Sequence, residues 1–196
     1  MSPGDLFSLL SRVDRALRAL ERDYALIGGM AVSVRAEPRF TRDADVAVSV
    51  ADDGDAEALV RALRPFDLVP FEVLNQEATG RLAAVRLRTT AGAVCDMMFA
   101  HTGIEAQIVQ AADLICLMEG LRVPVARPEH LAAMKTLSAR VGRPQDRMDL
   151  RSILTLGVDH DAVRRALDDI TAAGCHRGQD LRAKLARLVA ELDPPS

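Results

Sequence analysis

A glycine pair followed by two carboxylates one residue apart constrains this chain more than any other feature. Tyr24-Ala25-Leu26-Ile27 reads as a short apolar strand that ends in Gly28-Gly29. A helix is predicted from Met30 to Ala36. A loop then leads into a strand that opens with Asp43 and Asp45 and runs to about Val50. On a strand, residues i and i+2 point to the same face. Asp43 and Asp45 are therefore expected side by side, with Ala44 and Val46 turned into the core.

Two adjacent carboxylates repel each other unless a cation sits between them. Hard oxygen ligands of this kind suit Mg²⁺, which takes one or two carboxylates together with substrate phosphates. Gly28-Gly29 at the start of a helix offers backbone N–H groups at its positive end, where a phosphate binds. A phosphate cradle followed by a carboxylate pair is what metal-assisted phosphoryl or nucleotidyl transfer needs. The bland alternative is a turn at Gly28-Gly29 and a surface acid pair.

The rest of the chain bounds this reading. At 196 residues and 49% hydrophobic, it holds one substantial domain or a core domain with a helical annex. Aromatics are 3%, which argues against a broad base-stacking platform. The net charge of −3 gives no global attraction to nucleic acid, although a local basic groove would not show in that sum. Cys95, Cys116 and Cys175 are odd in number and widely spaced, so free thiols in a reducing compartment are expected. No apolar run approaches the roughly 20 residues of a membrane helix, and no signal peptide is evident. A cytoplasmic protein is expected.

Pro3 to Arg22 is predicted as an amphipathic helix. Asp52-Asp53-Gly54-Asp55 reads as a turn capping a helix from Asp55 to Leu63, with Ala58, Leu59 and Ala62 inward. Phe66 to Phe71 has room for a short strand, and Asn75 to Gly80 is expected as a loop. Leu82 to Arg88 and Ala93 to Phe99 form a hairpin around Thr89-Thr90-Ala91-Gly92. A short helix from His101 to Gln110 and a second strand pair turned at Glu119-Gly120 follow. Pro128 suits a first helical turn. Helices are then expected over 129–140, 145–156, 159–173 and 176–192.

Asp96 stands in the otherwise apolar run Val94-Cys95-Asp96-Met97-Met98-Phe99. An ionised carboxylate is costly to bury without a partner. It is expected to be paired with a metal, paired with Arg86 or Arg88 across the hairpin, or placed at a site rim. Lys135 borders the packed face of an apolar helix, where it either serves the site or merely snorkels. Asp146 and Asp149, three apart, are neighbours on a helix surface. Asp146 alone would pass for a helix-start residue.

Gly28-Gly29 followed by Thr41-Arg42-Asp43-Ala44-Asp45 resembles the signature of the DNA polymerase beta-type nucleotidyltransferase superfamily. The closest flavour is the AbiEii-like toxin nucleotidyltransferases, which carry a similar Arg-x-Thr-x-Asp-x-Asp approach. The resemblance covers roughly 24–154. It implies an α/β fold, or α+β in looser terms: a small mixed, mostly antiparallel sheet with helices. Residues 1–126 would be the nucleotidyltransferase core and 127–196 a C-terminal helical annex. It implies that Asp43, Asp45 and Asp96 bind two Mg²⁺ ions, with Mn²⁺ as a substitute. It implies that Gly28, Gly29, Arg42 and Lys135 bind the nucleotide, and that Lys135 and Asp149, or Asp146, complete the catalytic set. Gly29 stands where many relatives have Ser.

The expected activity is transfer of an NMP from an NTP to an acceptor hydroxyl on tRNA, a protein or a small molecule. A toxin role would bring an antitoxin partner. The rival reading is a non-catalytic nucleotide-binding or regulatory module on the same fold. Retained Asp43, Asp45 and Asp96 weigh against it, because a carboxylate group without metal is costly.

Overall fold

A computed structural model describes residues 3–39, 41, 43–140 and 142–192. The elements run α1 (Pro3–Ala19), β1 (Tyr24–Ile27), α2 (Gly28–Arg35), β2 (Ala44–Val48), α3 (Asp53–Ala62), a 3₁₀ turn (Arg64–Phe66), β3 (Val69–Asn75), β4 (Leu82–Arg88), β5 (Val94–Met98), α4 (Glu105–Ala111), β6 (Asp113–Met118), β7 (Leu121–Val125), α5 (Pro128–Ser138), α6 (Pro144–Leu154), α7 (His160–Ala172) and α8 (Leu181–Leu192). All seven strands join one sheet in the order β3-β4-β5-β2-β1-β7-β6. β2 runs parallel to β5 and β1 to β7, and the other neighbours are antiparallel. The fold is thus α/β with a mixed, mostly antiparallel sheet.

The core follows from periodicity. In α1, Leu6, Leu9, Leu10, Val13, Ala16 and Leu17 are buried, at the i, i+3, i+4, i+7 spacing of one helical face. β1 is buried along its whole length, and Ala44, Val46, Ala47 and Val48 of β2 are buried beside it. A strand covered on both faces reads as a continuous apolar run. Caps are where the sequence predicts them. Asp52 accepts from the Asp55 N–H at 2.8 Å, and Asp159 accepts from the N–H groups of Asp161 and Ala162. The remaining acids of the first turn go to arginines, Asp53 to Arg81 and Asp55 to Arg22. All three cysteines are free. Among the described residues no helix is long and apolar enough to cross a membrane.

Four expectations need correction. α2 begins at Gly28 rather than Met30, so the glycines are its first turn. β3 is longer than the short strand anticipated and takes in Asn75. It is an edge strand, with Val69, Phe71, Val73 and Leu74 exposed, so burial gives its sequence no strong signal. Pro70 is compatible with that edge position. The last helix starts at Leu181, not His176. Arg177 (φ 55°) and Gly178 (φ 68°) turn the chain through left-handed backbone, and Asp180 then caps the Ala183 N–H at 2.9 Å. In α3 the buried residues are Ala56, Leu59 and Val60, one step round the helix from the face expected.

Candidate active site

Strand register builds one wall of a cleft. Ile27 of β1 lies opposite Asp45 of β2, and Asp45 lies opposite Asp96 of β5. Asp96 in turn lies opposite Arg86 of β4, and Arg86 opposite Glu72 of β3. Cross-strand partners share a face, so one rung of the sheet carries Asp45, Asp96, Arg86 and Glu72 in line. Arg86 donates to Asp96 through Nε at 2.9 Å and to Glu72 through Nη1 at 3.2 Å. The expected alternative partner of Asp96 is therefore present, while Asp96 also faces the cleft.

The cleft encloses about 390 Å³. Gly28, Gly29, Asp43, Asp45, Asp96, Lys135 and Asp146 all line it, together with Arg39, Thr41, Arg86, His101 and Arg143. Gly28 has φ +65°, and a Cβ there would lie 1.9 Å from Asp45 Oδ2. Only glycine leaves room for that carboxylate. Burial, with neighbouring Asp96 and Asp43, raises the Asp45 carboxyl to about 7, against the pull of Lys135 and a hydrogen bond from the Gly29 N–H. The first-turn N–H expected to face phosphate is thus directed at Asp45. Burial likewise raises Asp96, with Arg86 holding it back.

The opposite wall is helical. Lys135 of α5 donates to Asp146 at 2.9 Å and pairs with Asp149 at 2.8 Å, both on α6. Arg39, from the loop between α2 and β2, grips Asp149 with two nitrogens, Nε at 2.7 Å and Nη2 at 2.8 Å. Gln145 adds a third donor at 2.9 Å. Asp149 is 1% exposed. Burial alone would push its carboxyl up, but the bonds from Arg39, Lys135 and Gln145 hold it below the usual carboxylate range.

Sequence reasoning passed over Arg39, His101 and Arg143. A Cβ on Gly29 would stand 2.5 Å from Arg39 Nη2, so the arginine lies directly over the glycine. That is a physical reason for Gly29 where a serine is common. Ser33 does not replace that hydroxyl: its Oγ lies 3.1 Å from the Gly29 carbonyl oxygen and 3.2 Å from that of Arg39, and accepts from the Arg39 N–H, tying the loop to α2. His101 is lowered to about 4 by burial and by Arg177 and Arg143, which keeps the ring neutral. The one signal for Arg39 was its place in Arg39-x-Thr41-x-Asp43-x-Asp45. Arg42 lies outside the described residues.

The donor set fits a divalent cation in part. Asp43 and Asp45 fit one: both are oxygen ligands in one cleft, and the resistance of Asp45 to ionisation is what a cation relieves. Asp96 is engaged by Arg86, and among the described residues no group of three or more acid, histidine or cysteine side chains stands ready to hold a metal.

A glycine-started helix thus faces carboxylates on adjacent strands, with a lysine opposite. A family model described as nucleotidyl transferase AbiEii toxin, Type IV TA system, matches residues 8–194, and the chain belongs to that family. Among solved structures, an antigenic nucleotidyltransferase-like protein from Paracoccidioides brasiliensis is 22% identical, with 95% of this chain and 94% of that one covered and a TM-score of 0.54. ANT(2'')-Ia in complex with adenylyl-2''-tobramycin has the same TM-score of 0.54 at 13% identity, with 84% and 96% covered. At these identities the likeness is one of fold. No curated protein matches the chain.

Proposed function

We propose that this chain transfers a nucleoside monophosphate from an NTP to an acceptor hydroxyl, with Mg²⁺ held by Asp43 and Asp45. The observation that carries the reading is the contact between Gly28 and Asp45. The start of a helix and a carboxylate reluctant to ionise meet at a distance only glycine permits. Mg²⁺, when bound, would activate the acceptor oxygen and offset charge on the departing pyrophosphate.

The protein's own groups do the rest. The Gly28 and Gly29 N–H groups are available to the triphosphate once Asp45 turns to a cation. Lys135, fixed between Asp146 and Asp149, brings a positive charge to the cleft facing Asp45. Arg39 and Asp149 position that lysine. Asp96 is assigned as the third carboxylate, available when Arg86 shifts to Glu72. Membership of a toxin–antitoxin family supports a toxin role with a protein antitoxin as partner.

Thermal shift with NTP and Mg²⁺ tests the reading. A ligand that binds only the folded state raises its stability by mass action. Wild type is expected to gain stability with at least one NTP, and the Asp43→Asn, Asp45→Asn double variant is not. No response of wild type to any NTP at millimolar concentration overturns the proposal. In that event a non-catalytic regulatory module leads.

A further inference from the structure

The two edges of the sheet are built differently. β3 ends it on one side and β6 on the other. An edge strand offers unpaired N–H and C=O groups to another strand, and soluble proteins blunt such edges with proline, charge and bulges. β3 carries all three: Pro70, Glu72, and register shifts between Pro70 and Glu72 and between Leu74 and Asn75. The Arg88 guanidinium also lies over the Phe71 ring, 4.9 Å from its centre. β6, Asp113-Leu-Ile-Cys-Leu-Met118, has none of this along its middle. Its only charge is Asp113 at the start, and its register shift, between Cys116 and Met118, lies at the turn end. Leu114 is 52% exposed and Met118 48%, with Cys116 exposed between them. Ile115 and Leu117 alternate with them and are half-buried.

This apolar run is nearly symmetric about Cys116. When two copies lie antiparallel about that residue, Leu114 of each faces Met118 of the other, Ile115 faces Leu117, and Cys116 faces Cys116. Opposed residues share a face, so exposed side chains meet exposed ones and half-buried meet half-buried. Leu114 and Pro124 line a concavity of about 450 Å³ with Ala106, Val109 and Gln110. Met118 of the second copy arrives at its rim, and an unbranched thioether suits an irregular hollow. Charge matches as well. Asp113 is held by Arg35 at 2.7 Å and Arg127 at 3.6 Å, two cations on one acid. The same register brings Glu119 of the second copy opposite Asp113. Glu119 is exposed and in no ion pair among the described residues. Two arginines then meet two acids.

We propose that β6 is the contact of a two-fold homodimer, in which the strand pairs antiparallel with β6 of a second copy about Cys116 and the two sheets become one. A two-fold contact uses the same patch on both copies, which a self-complementary strand satisfies. No residue of β6 lines the cleft, so the proposal stands apart from the reaction proposed there. A single strand pair is at the small end of specific interfaces, so a micromolar dimer is expected.

Sedimentation velocity on the whole chain tests it, over a dilution series reaching about 100 μM, well above the dissociation constant of a weak interface. Wild type is expected at twice the 21.2 kDa of one chain. Leu114→Lys sets a lysine against each Met118 and should sediment as a single chain at every concentration. Its circular dichroism should match wild type, because Leu114 is already half exposed. The second arm needs no disruptive variant. Opposed residues of an antiparallel pair have Cα atoms about 4.5–5.5 Å apart, inside the about 4.4–6.8 Å that a disulfide spans. Cys95 and Cys175 are buried. Copper phenanthroline, as the oxidant, should therefore join wild-type copies through Cys116, and Cys116→Ser should stay unjoined yet dimeric. A wild type that remains a single chain throughout the series overturns the proposal. So does a dimer that survives Leu114→Lys, or one whose Cys116 thiols do not join, since either places the contact elsewhere. A single-chain wild type whose Cys116 is shielded from maleimide by a purified antitoxin would assign β6 to that partner, and also overturns it.

Discussion

The two walls of the cleft hold their acids in opposite ways. On the helical wall, Asp149 is fully buried and fully partnered, with Arg39, Lys135 and Gln145 around it. Its ionised form is favoured. On the sheet wall, Asp45 sits beside Asp96 and Asp43 with a single backbone donor and a more distant lysine, and its ionised form is disfavoured. The first arrangement stabilises the protein as it stands. The second costs stability until a cation arrives. The wall that holds its charges well is scaffold, and the wall that holds them badly is where ligand chemistry is expected.

The comparison breaks first at Asp149. Asp149→Ala would leave the Arg39 and Lys135 charges partly buried without their shared partner. The cost expected is about 3–5 kcal/mol, the usual penalty for removing one side of a buried pair. Urea unfolding measures it. A loss below about 1 kcal/mol would place Asp149 with ordinary surface pairs and undo the assignment of this wall as scaffold.

Asp45→Asn should do the reverse. The carboxyl is raised from 3.8 to about 7, so between those values the folded state holds the proton more tightly than the unfolded state. The wild type therefore loses stability as pH rises from about 4 to 7, and the loss is complete above 7. An uncharged amide avoids it. Allowing for screening by cleft water, the variant should be more stable by roughly 2 kcal/mol at pH 8 and equal to wild type near pH 4. It should also give no NTP–Mg²⁺ response. Melting curves across pH check the first expectation, and a variant less stable than wild type at pH 8 contradicts it.

The glycines separate the walls further. Gly28→Ala drives a methyl into Asp45 and forces an L-residue to φ +65°, so a loss of about 1–2 kcal/mol and of the NTP response is expected. Gly29→Ser instead meets the end of the flexible Arg39 side chain. It should cost less, about 1 kcal/mol, and through the Arg39–Asp149 pair rather than through Asp45. Equal losses from both substitutions, each measured by urea unfolding, would mean that the glycines serve one wall only.

How much of this was legible depended on contrast. Asp96 and Lys135 were visible as charges inside apolar runs, and Asp43 and Asp45 by their spacing. Arg39 and Arg143 were not, because an arginine in a polar loop looks like any other. β3 was shortened because an exposed edge strand is under little packing pressure to show a clear pattern. The start of α8 was misplaced because Arg177, a residue that usually continues a helix, turns left-handed beside Gly178.

Asp96 lies on the sheet wall but is ion-paired as the acids of the helical wall are, and Arg86→Met decides which behaviour it has. The Arg86–Asp96 pair is about a third exposed on the arginine side, so its removal should cost only about 1 kcal/mol. The loss should be greatest at alkaline pH and shrink on acidification, because Asp96, already raised by burial, then takes up a proton more readily. The informative readout is cation affinity, measured with Mn²⁺ by the signal of the free ion. If Asp96 is a third metal ligand, removing Arg86 frees its carboxylate and Mn²⁺ binds several-fold more tightly. If Arg86 is its lasting partner, affinity is unchanged and Asp96 joins Asp149 as scaffold. Unchanged affinity would leave Asp43 and Asp45 to hold the cation without a third carboxylate, and would turn the rung from Asp96 to Glu72 into a support for the acid pair.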